Sequence, residues 1–235
     1  MIRDDLGELA VAPSAAQAVR CSRRDQSEPA SAPLNTYDGC VIAPSTSVGA
    51  ILLTGGSSRR LARDKATVTV DGHTLAVRTA GLLSMVVDAA VEVGPGLSGL
   101  PATREQSAGT GPLAAIGAGW ATLRGWGHTG SALVVACDLP LLTERLLRFL
   151  VEWESPDSVV PVVEGRAQPL CAKWGRRDLD GVDQLLSEGV RSLRHLTTQP
   201  GVTLLAPSQW RDVATAAHFS DIDTPDDLHR LGLPS

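Results

Sequence analysis

The segment Val48-Gly49-Ala50-Ile51-Leu52-Leu53-Thr54-Gly55-Gly56-Ser57-Ser58-Arg59-Arg60-Leu61-Ala62-Arg63-Asp64-Lys65 decides how the chain is read. Its first six residues are apolar or small throughout, the pattern of a strand covered on both faces and hence of a parallel sheet flanked by helices. The run stops at Gly55-Gly56, where the missing Cβ atoms let backbone amides approach an anion closely. Arg59, Arg60, Arg63 and Lys65 follow within nine residues. Amides and clustered cations at the end of a buried strand suit the phosphates of a nucleotide, the alternative being a solvated basic loop. The loop is not a Walker A motif, because Ala66 follows Lys65 where Ser or Thr is required, and there is no G-x-G-x-x-G.

Outward from this segment, strand-like and helix-like runs alternate, which predicts βαβ units, an α/β fold of Rossmann-like three-layer type and a mostly parallel sheet. A helix is expected over 73–87 with Leu75, Leu82, Leu83 and Val86 on one face, and a second strand over 89–93. Pro112 opens a Gly- and Ala-rich helix reaching 124, and a third buried strand occupies 132–137. Thr143 can cap a helix whose buried stripe is Leu146, Leu147, Leu150 and Val151. Strands over 158–163 and 169–174 flank a turn at Glu164-Gly165-Arg166. Two helices follow, one carrying Leu179, Val182, Leu185 and Leu186, the next Val190, Leu193 and Leu196, with a break at Gly189. A strand over 202–205 and a helix over 225–231 complete the pattern. Residues 1–46, rich in Ala, Ser and Pro without an apolar period, read as a flexible extension, which leaves 47–235 as one domain.

Composition narrows the class. Hydrophobic residues make up 43 %, yet only five Trp, one Tyr and two Phe are aromatic, so the core is built from Ala, Val and Leu. That favours α/β layers over an aromatic-rich sandwich. With 21 Lys+Arg against 26 Asp+Glu the net charge is −5, which excludes a global basic surface for nucleic acid. Cys21, Cys40, Cys137 and Cys171 are dispersed and form no C-x-x-C pair, against a zinc site or disulfide framework. Cys137 and Cys171 sit in apolar runs and read as buried reduced thiols. No apolar stretch approaches the roughly 18 residues of a membrane span. Arg3, Asp4, Asp5 and Glu8 stand where a secretory signal needs an apolar core, so the expectation is a cytoplasmic protein with no membrane partner. None of His73, His128, His195, His218 and His229 stands in a nucleophile or metal-ligand constellation.

Two acidic positions complete the chemistry. Asp138 directly follows the buried strand, at the carboxyl end of a parallel sheet, where a carboxylate can hold Mg²⁺ against phosphate oxygens or cap a helix. In Asp221-Ile222-Asp223-Thr224-Pro225 an extended backbone sets both carboxylates on one side. Asp223 can join a metal site and Thr224 can cap the last helix, and both roles are compatible.

The stretch L-T-G-G-S-S-R-R-L-A-R-D-K-A resembles the signature loop of the molybdenum cofactor guanylyltransferase family, whose usual form is L-A-G-G-x-S-x-R-M-G-x-D-K. The resemblance continues, in order, through Gly111-Pro112-Leu113-Ala114-Ala115, Cys137-Asp138-Leu139-Pro140, Gln168-Pro169-Leu170-Cys171-Ala172 and Asp221 to Leu228. It implies a nucleotidyltransferase that moves GMP from Mg²⁺-GTP to the terminal phosphate of molybdopterin and releases pyrophosphate. Transient contact with proteins that insert or carry the molybdenum cofactor is also implied. Carried over position by position, Leu53, Thr54, Gly55 and Gly56 lie against the nucleotide, and Arg60 and Lys65 meet the triphosphate. Gln106, Gly111 and Pro112 lie toward the guanosine, Asp138 holds Mg²⁺ and acts with Arg60 and Lys65 in catalysis, and Asp223 lies near the metal or the acceptor.

Thr54 stands where the family usually has Ala, Leu61 where it has Met, and Ala62 where it has Gly. Relatives commonly carry an Asp before Gly111, where this chain offers only Glu105 and Gln106. A cytidylyl, sugar-phosphate or phospholactate transferase of the same fold is therefore the alternative, beside a nucleotide-binding relative that has lost catalysis.

Overall fold

The structure, a computed structural model, describes residues 36–37, 40–41, 48–55, 65–105, 111–155 and 157–233. It divides into two units, Met1–Ile42 and Ala43–Ser235. In the first, β1 (Thr36–Tyr37) pairs antiparallel with β2 (Cys40–Val41).

The second unit is built on β3 (Val48–Leu53). There follow β4 (Thr69–Val70), β5 (His73–Thr74), α1 (Leu75–Ser84), β6 (Ala90–Val93), β7 (Ala102–Thr103), α2 (Pro112–Gly125), β8 (Ser131–Ala136) and α3 (Glu144–Glu152). Then come β9 (Val159–Val163), β10 (Arg166–Ala167), β11 (Cys171–Trp174), α4 (Arg176–Asp180), α5 (Val182–Ser187), α6 (Arg194–Thr197), β12 (Thr203–Leu205), α7 (Pro207–Trp210) and α8 (Pro225–Arg230). In the main sheet β7, β6, β3 and β8 are neighbours in that order and run parallel. The antiparallel β11 lies between β8 and β9, β10 folds back on the end of β9, and β12 runs parallel to β9.

Alternation along β3 makes three layers. Ala50 and Leu52 face a core shared with Ala80, Leu83, Leu146 and Leu150 of α1 and α3. Ile51 and Leu53 face the opposite core, with Ile116, Trp120 and Leu123 of α2 and Leu179 and Val182 of α4 and α5. Because the next strand of the main sheet, β6, lies on one flank of β3 and β8 on the other, the order of the sheet reverses at β3, and open α/β sheets bind ligands at such a reversal. Leu53 is in register with Val93 and with Ala136, so β3, β6 and β8 end level and release Thr54, Gly94 and Cys137 side by side. The small residues of α2 allow close packing on the sheet: a Cβ on Gly119 would stand 2.5 Å from Ile51 Cγ2.

The mostly parallel sheet agrees with the sequence pattern, and several boundaries differ from it. The helix expected over 73–87 begins only at Leu75, because His73 and Thr74 pair with Val70 and Thr69 around an Asp71-Gly72 turn, both residues having positive φ. Thr74 then caps the helix, its hydroxyl accepting from the Val77 amide at 3.3 Å. Val190 lies outside a helix: its amide returns to the Leu185 carbonyl at 2.9 Å around Gly189, ending α5 and delaying α6 to Arg194. The strand expected over 169–174 is regular only from Cys171, with Arg166–Ala167 paired separately. Thr224 is the N-cap of α8 as expected, with Asp227 closing the cap: Asp227 Oδ2 accepts from the Thr224 hydroxyl at 2.9 Å and from the Asp223 and Thr224 amides.

Candidate active site

A cleft of about 680 Å³ opens where β3, β6 and β8 end. Leu53, Thr54 and Gly55 form one part of its lining, Gly94 and Pro95 another, and Gly111, Pro112 and Ala115 of α2 a third. Lys65, Asp138 and Asp223 converge in the same cleft.

Each of these three is placed by its own element. Lys65 opens a 3₁₀ turn, Lys65–Thr67, anchored by buried Ala66 and by the Val68 amide on the Lys65 carbonyl at 3.1 Å. Asp138 follows Cys137, whose amide extends the ladder to the Leu53 carbonyl at 3.0 Å. Asp223 is set by Ile222, which is fully buried against Val68, Val70, Leu75 and Leu228 and donates its amide to the Asp138 carbonyl at 3.1 Å. The small core under the β4–β5 hairpin thus brings a residue near the end of the chain to the edge of β8.

The Lys65 ammonium lies 2.8 Å from Asp138 Oδ2 and 2.5 Å from Asp223 Oδ1. Burial pushes this ammonium down, but the hydrogen bonds and charges of the two aspartates outweigh burial and hold it at about 12. Burial and the charges of Asp138 and Asp223 raise the carboxyl of neighbouring Asp221. Two carboxylates therefore converge on one cationic nitrogen. Hard oxygen donors in that arrangement suit Mg²⁺, which takes one or two carboxylates and completes its shell with water and substrate oxygens. Among the described residues no group of three or more His, Cys, Asp or Glu could form an all-protein metal cage. The Asp138 carboxylate does not cap a helix, since α3 is capped by Thr143, whose hydroxyl accepts from Leu146 at 3.4 Å.

One further acid, Glu92, was not picked out from the sequence. It is the single charged residue of β6, wholly buried, and its carboxylate is saturated with donors. Oε1 accepts from the Thr54 hydroxyl at 2.5 Å and from the Gly96 and Leu97 amides at 2.8 and 3.0 Å. Oε2 accepts from the Ser98 amide at 2.8 Å and hydroxyl at 2.5 Å. Burial pushes the carboxyl up, while the bonds from Ser98, Thr54 and Leu97 prevail and hold it at about 2. A lone acid inside Ala-Val-Glu-Val was the only sequence signal, because its partners are backbone amides that no side-chain pattern reveals.

Of the residues singled out in the sequence, Leu53, Thr54, Gly55, Lys65, Gly111, Pro112, Asp138 and Asp223 share this cleft. Gly56, Arg60 and Gln106 lie outside the described residues, as do Leu61 and Ala62. Cys137 and Cys171 are buried and form no disulfide, and burial pushes the Cys171 thiol up to about 12.

Residues 50–202 match the model of the MobA-like NTP transferase domain. The chain belongs to this family. A relative described as a probable molybdenum cofactor guanylyltransferase, from Mycobacterium marinum, is 32% identical over 192 residues, covering 76% of this chain and 93% of the relative. Another of the same description, from Bacillus cytotoxicus, is 26% identical over 197 residues, covering 79% and 96%. The solved molybdopterin-guanine dinucleotide biosynthesis protein A from Archaeoglobus fulgidus superposes with a TM-score of 0.66 at 24% identity, over 78% of this chain and 96% of that one. At that identity it speaks for the fold alone, a mostly parallel α/β sheet.

Proposed function

We propose that this protein transfers GMP from GTP to the terminal phosphate of molybdopterin, with release of pyrophosphate. The observation that carries the reading is the convergence of Lys65, Asp138 and Asp223 at the strand end from which the glycine loop departs. Kinship to probable molybdenum cofactor guanylyltransferases supports the choice of reaction.

An oxygen of the acceptor phosphate attacks the α-phosphorus of GTP, forming a new P–O bond as the bond to the bridging oxygen breaks and pyrophosphate leaves. Such chemistry asks a protein mainly for positioning and charge neutralisation. Gly55, without a Cβ, lets the nucleotide lie against the backbone, and the N-terminus of α2 at Gly111-Pro112 turns its positive dipole end into the cleft. Lys65, protonated across the physiological range, presents its charge to the α-phosphate. Asp138 and Asp223 would hold Mg²⁺, which when bound neutralises phosphate oxygens and aligns the leaving group. The family resemblance assigns Arg60 to the triphosphate and Gln106 to the guanosine.

Transfer of another nucleotide is the second reading, favoured by Glu105 on the cleft wall, because the family resemblance implies an Asp before Gly111 and this chain offers only Glu105 and Gln106. Pyrophosphate release, measured with molybdopterin and Mg²⁺ and with GTP, CTP or ATP in turn, tests both. Turnover with GTP alone is expected. Turnover with CTP instead transfers the assignment to a cytidylyltransferase, and release with none of the three contradicts both.

A further inference from the structure

We infer that Glu92 and Thr54 are positioning residues that hold the floor of the nucleotide cleft, an assignment that rests on the nucleotidyltransferase reading of that cleft. The floor consists of two adjacent loops, Thr54-Gly55 leaving β3 and Gly94-Pro95 leaving β6. Glycine at 94, 96 and 99 leaves the second loop little intrinsic stiffness. A single carboxylate oxygen, Oε1 of Glu92, receives the hydroxyl of the first loop and two amides of the second. Glu92 thereby ties together the ends of neighbouring strands at the level where the cleft begins.

Three features show that the tie is specific. A carboxylate buried in an apolar strand is costly unless every lone pair finds a donor, and here donors reach both oxygens. All are neutral, so Glu92 is held by dipoles and hydroxyls and consumes none of the cleft's cations. Finally, Gly94 fits the Thr54 hydroxyl: a Cβ at that position would stand 2.0 Å from Thr54 Oγ1. Thr54 thus commits its hydroxyl to Glu92 and leaves its backbone, with that of Gly55, as the surface a nucleotide meets. A floor fixed before binding spares the nucleotide the ordering of that loop. Glu92 makes none of its hydrogen bonds to Lys65, Asp138 or Asp223, so loosening the tie weakens nucleotide binding and leaves the transfer step intact.

The test is equilibrium binding of Mg²⁺-GTP by calorimetry, with KM, kcat and Tm, for the full chain and for Thr54→Val, Thr54→Ser and Glu92→Gln. Thr54→Val keeps the shape and removes the donor; Kd and KM for GTP are expected to rise roughly ten-fold, with kcat within about two-fold of the unaltered protein. Thr54→Ser restores the hydroxyl and is expected to bind normally. Glu92→Gln, which sets an amide against amides, is expected to weaken binding at least as much where it folds. A merely structural tie would lower the Tm of Thr54→Val with unchanged Kd and KM, and that result overturns the inference, as does Thr54→Ser binding as weakly as Thr54→Val. If the unaltered protein binds CTP but not GTP, the base assignment fails and the same comparison is read with CTP. If it binds no nucleoside triphosphate, the nucleotidyltransferase reading fails and the inference falls with it.

Discussion

The Lys65 ammonium sits 2.8 Å from Asp138 Oδ2, joining the residue that ends the basic loop to a residue two positions beyond the end of β8, 73 positions later in the chain. With Asp223 on the same nitrogen, the pair marks the point where positive charge and metal-suited oxygens meet. Lys65→Ala is expected to lower kcat by about 10²-fold, the scale of one preorganised electrostatic contact. Steady-state pyrophosphate release at saturating GTP measures it, and near-normal turnover would remove Lys65 from the reaction.

The pH response of stability follows from the two most displaced groups of the cleft. The Glu92 carboxyl is held at about 2 against an ordinary 4.5, so its stabilisation is complete above about 4.5 and is lost as pH falls toward 2. Lys65 is displaced the other way, from 10.5 to about 12, so its stabilisation is complete below about 10.5 and is lost as pH rises toward 12. Neither changes charge near neutrality. Thermal melts on the acid side should show the Tm advantage of the unaltered protein over Glu92→Gln shrinking below pH 4.5; a constant difference down to pH 2 would contradict this account of Glu92.

Close packing of α2 on β3 gives a stability expectation away from the chemistry. Gly119→Ala sets a methyl 2.5 Å from Ile51 Cγ2 in the core, and overpacking of this kind costs about 1 to 3 kcal/mol. Chemical denaturation reads it as a lower midpoint with an unchanged slope. An unaltered or raised midpoint would show that the helix shifts freely on the sheet.

Much of this was legible in the residues, for identifiable reasons. The apolar run 48–53 announced a doubly covered strand, and Asp138, the first charge after the apolar run 132–137, marked a carboxyl edge. Asp223 could be named from its alternation with Ile222, while its distance to Lys65 depends on a small core that local pattern does not report. The antiparallel sense of β11 was hidden because an apolar run signals burial on both faces and is indifferent to direction. The β4–β5 hairpin was missed although Asp71-Gly72 is a strong turn signal, its two-residue strands being too short to alternate visibly. Thr54 looked like a departure from the family loop, and only the buried carboxylate across from it explains the hydroxyl.

The central claim is that the transfer site lies at Lys65, Asp138 and Asp223, and the turnover of Asp138→Asn tests it most directly. The substitution keeps the side-chain shape and removes the charge, leaving Asp223 as the charged partner of Lys65. With Mg²⁺, GTP and molybdopterin, pyrophosphate release is expected to fall by about 10²-fold or more while Tm stays near that of the unaltered protein. An Asp138→Asn protein that turned over at the normal rate would place the chemistry elsewhere and contradict the claim.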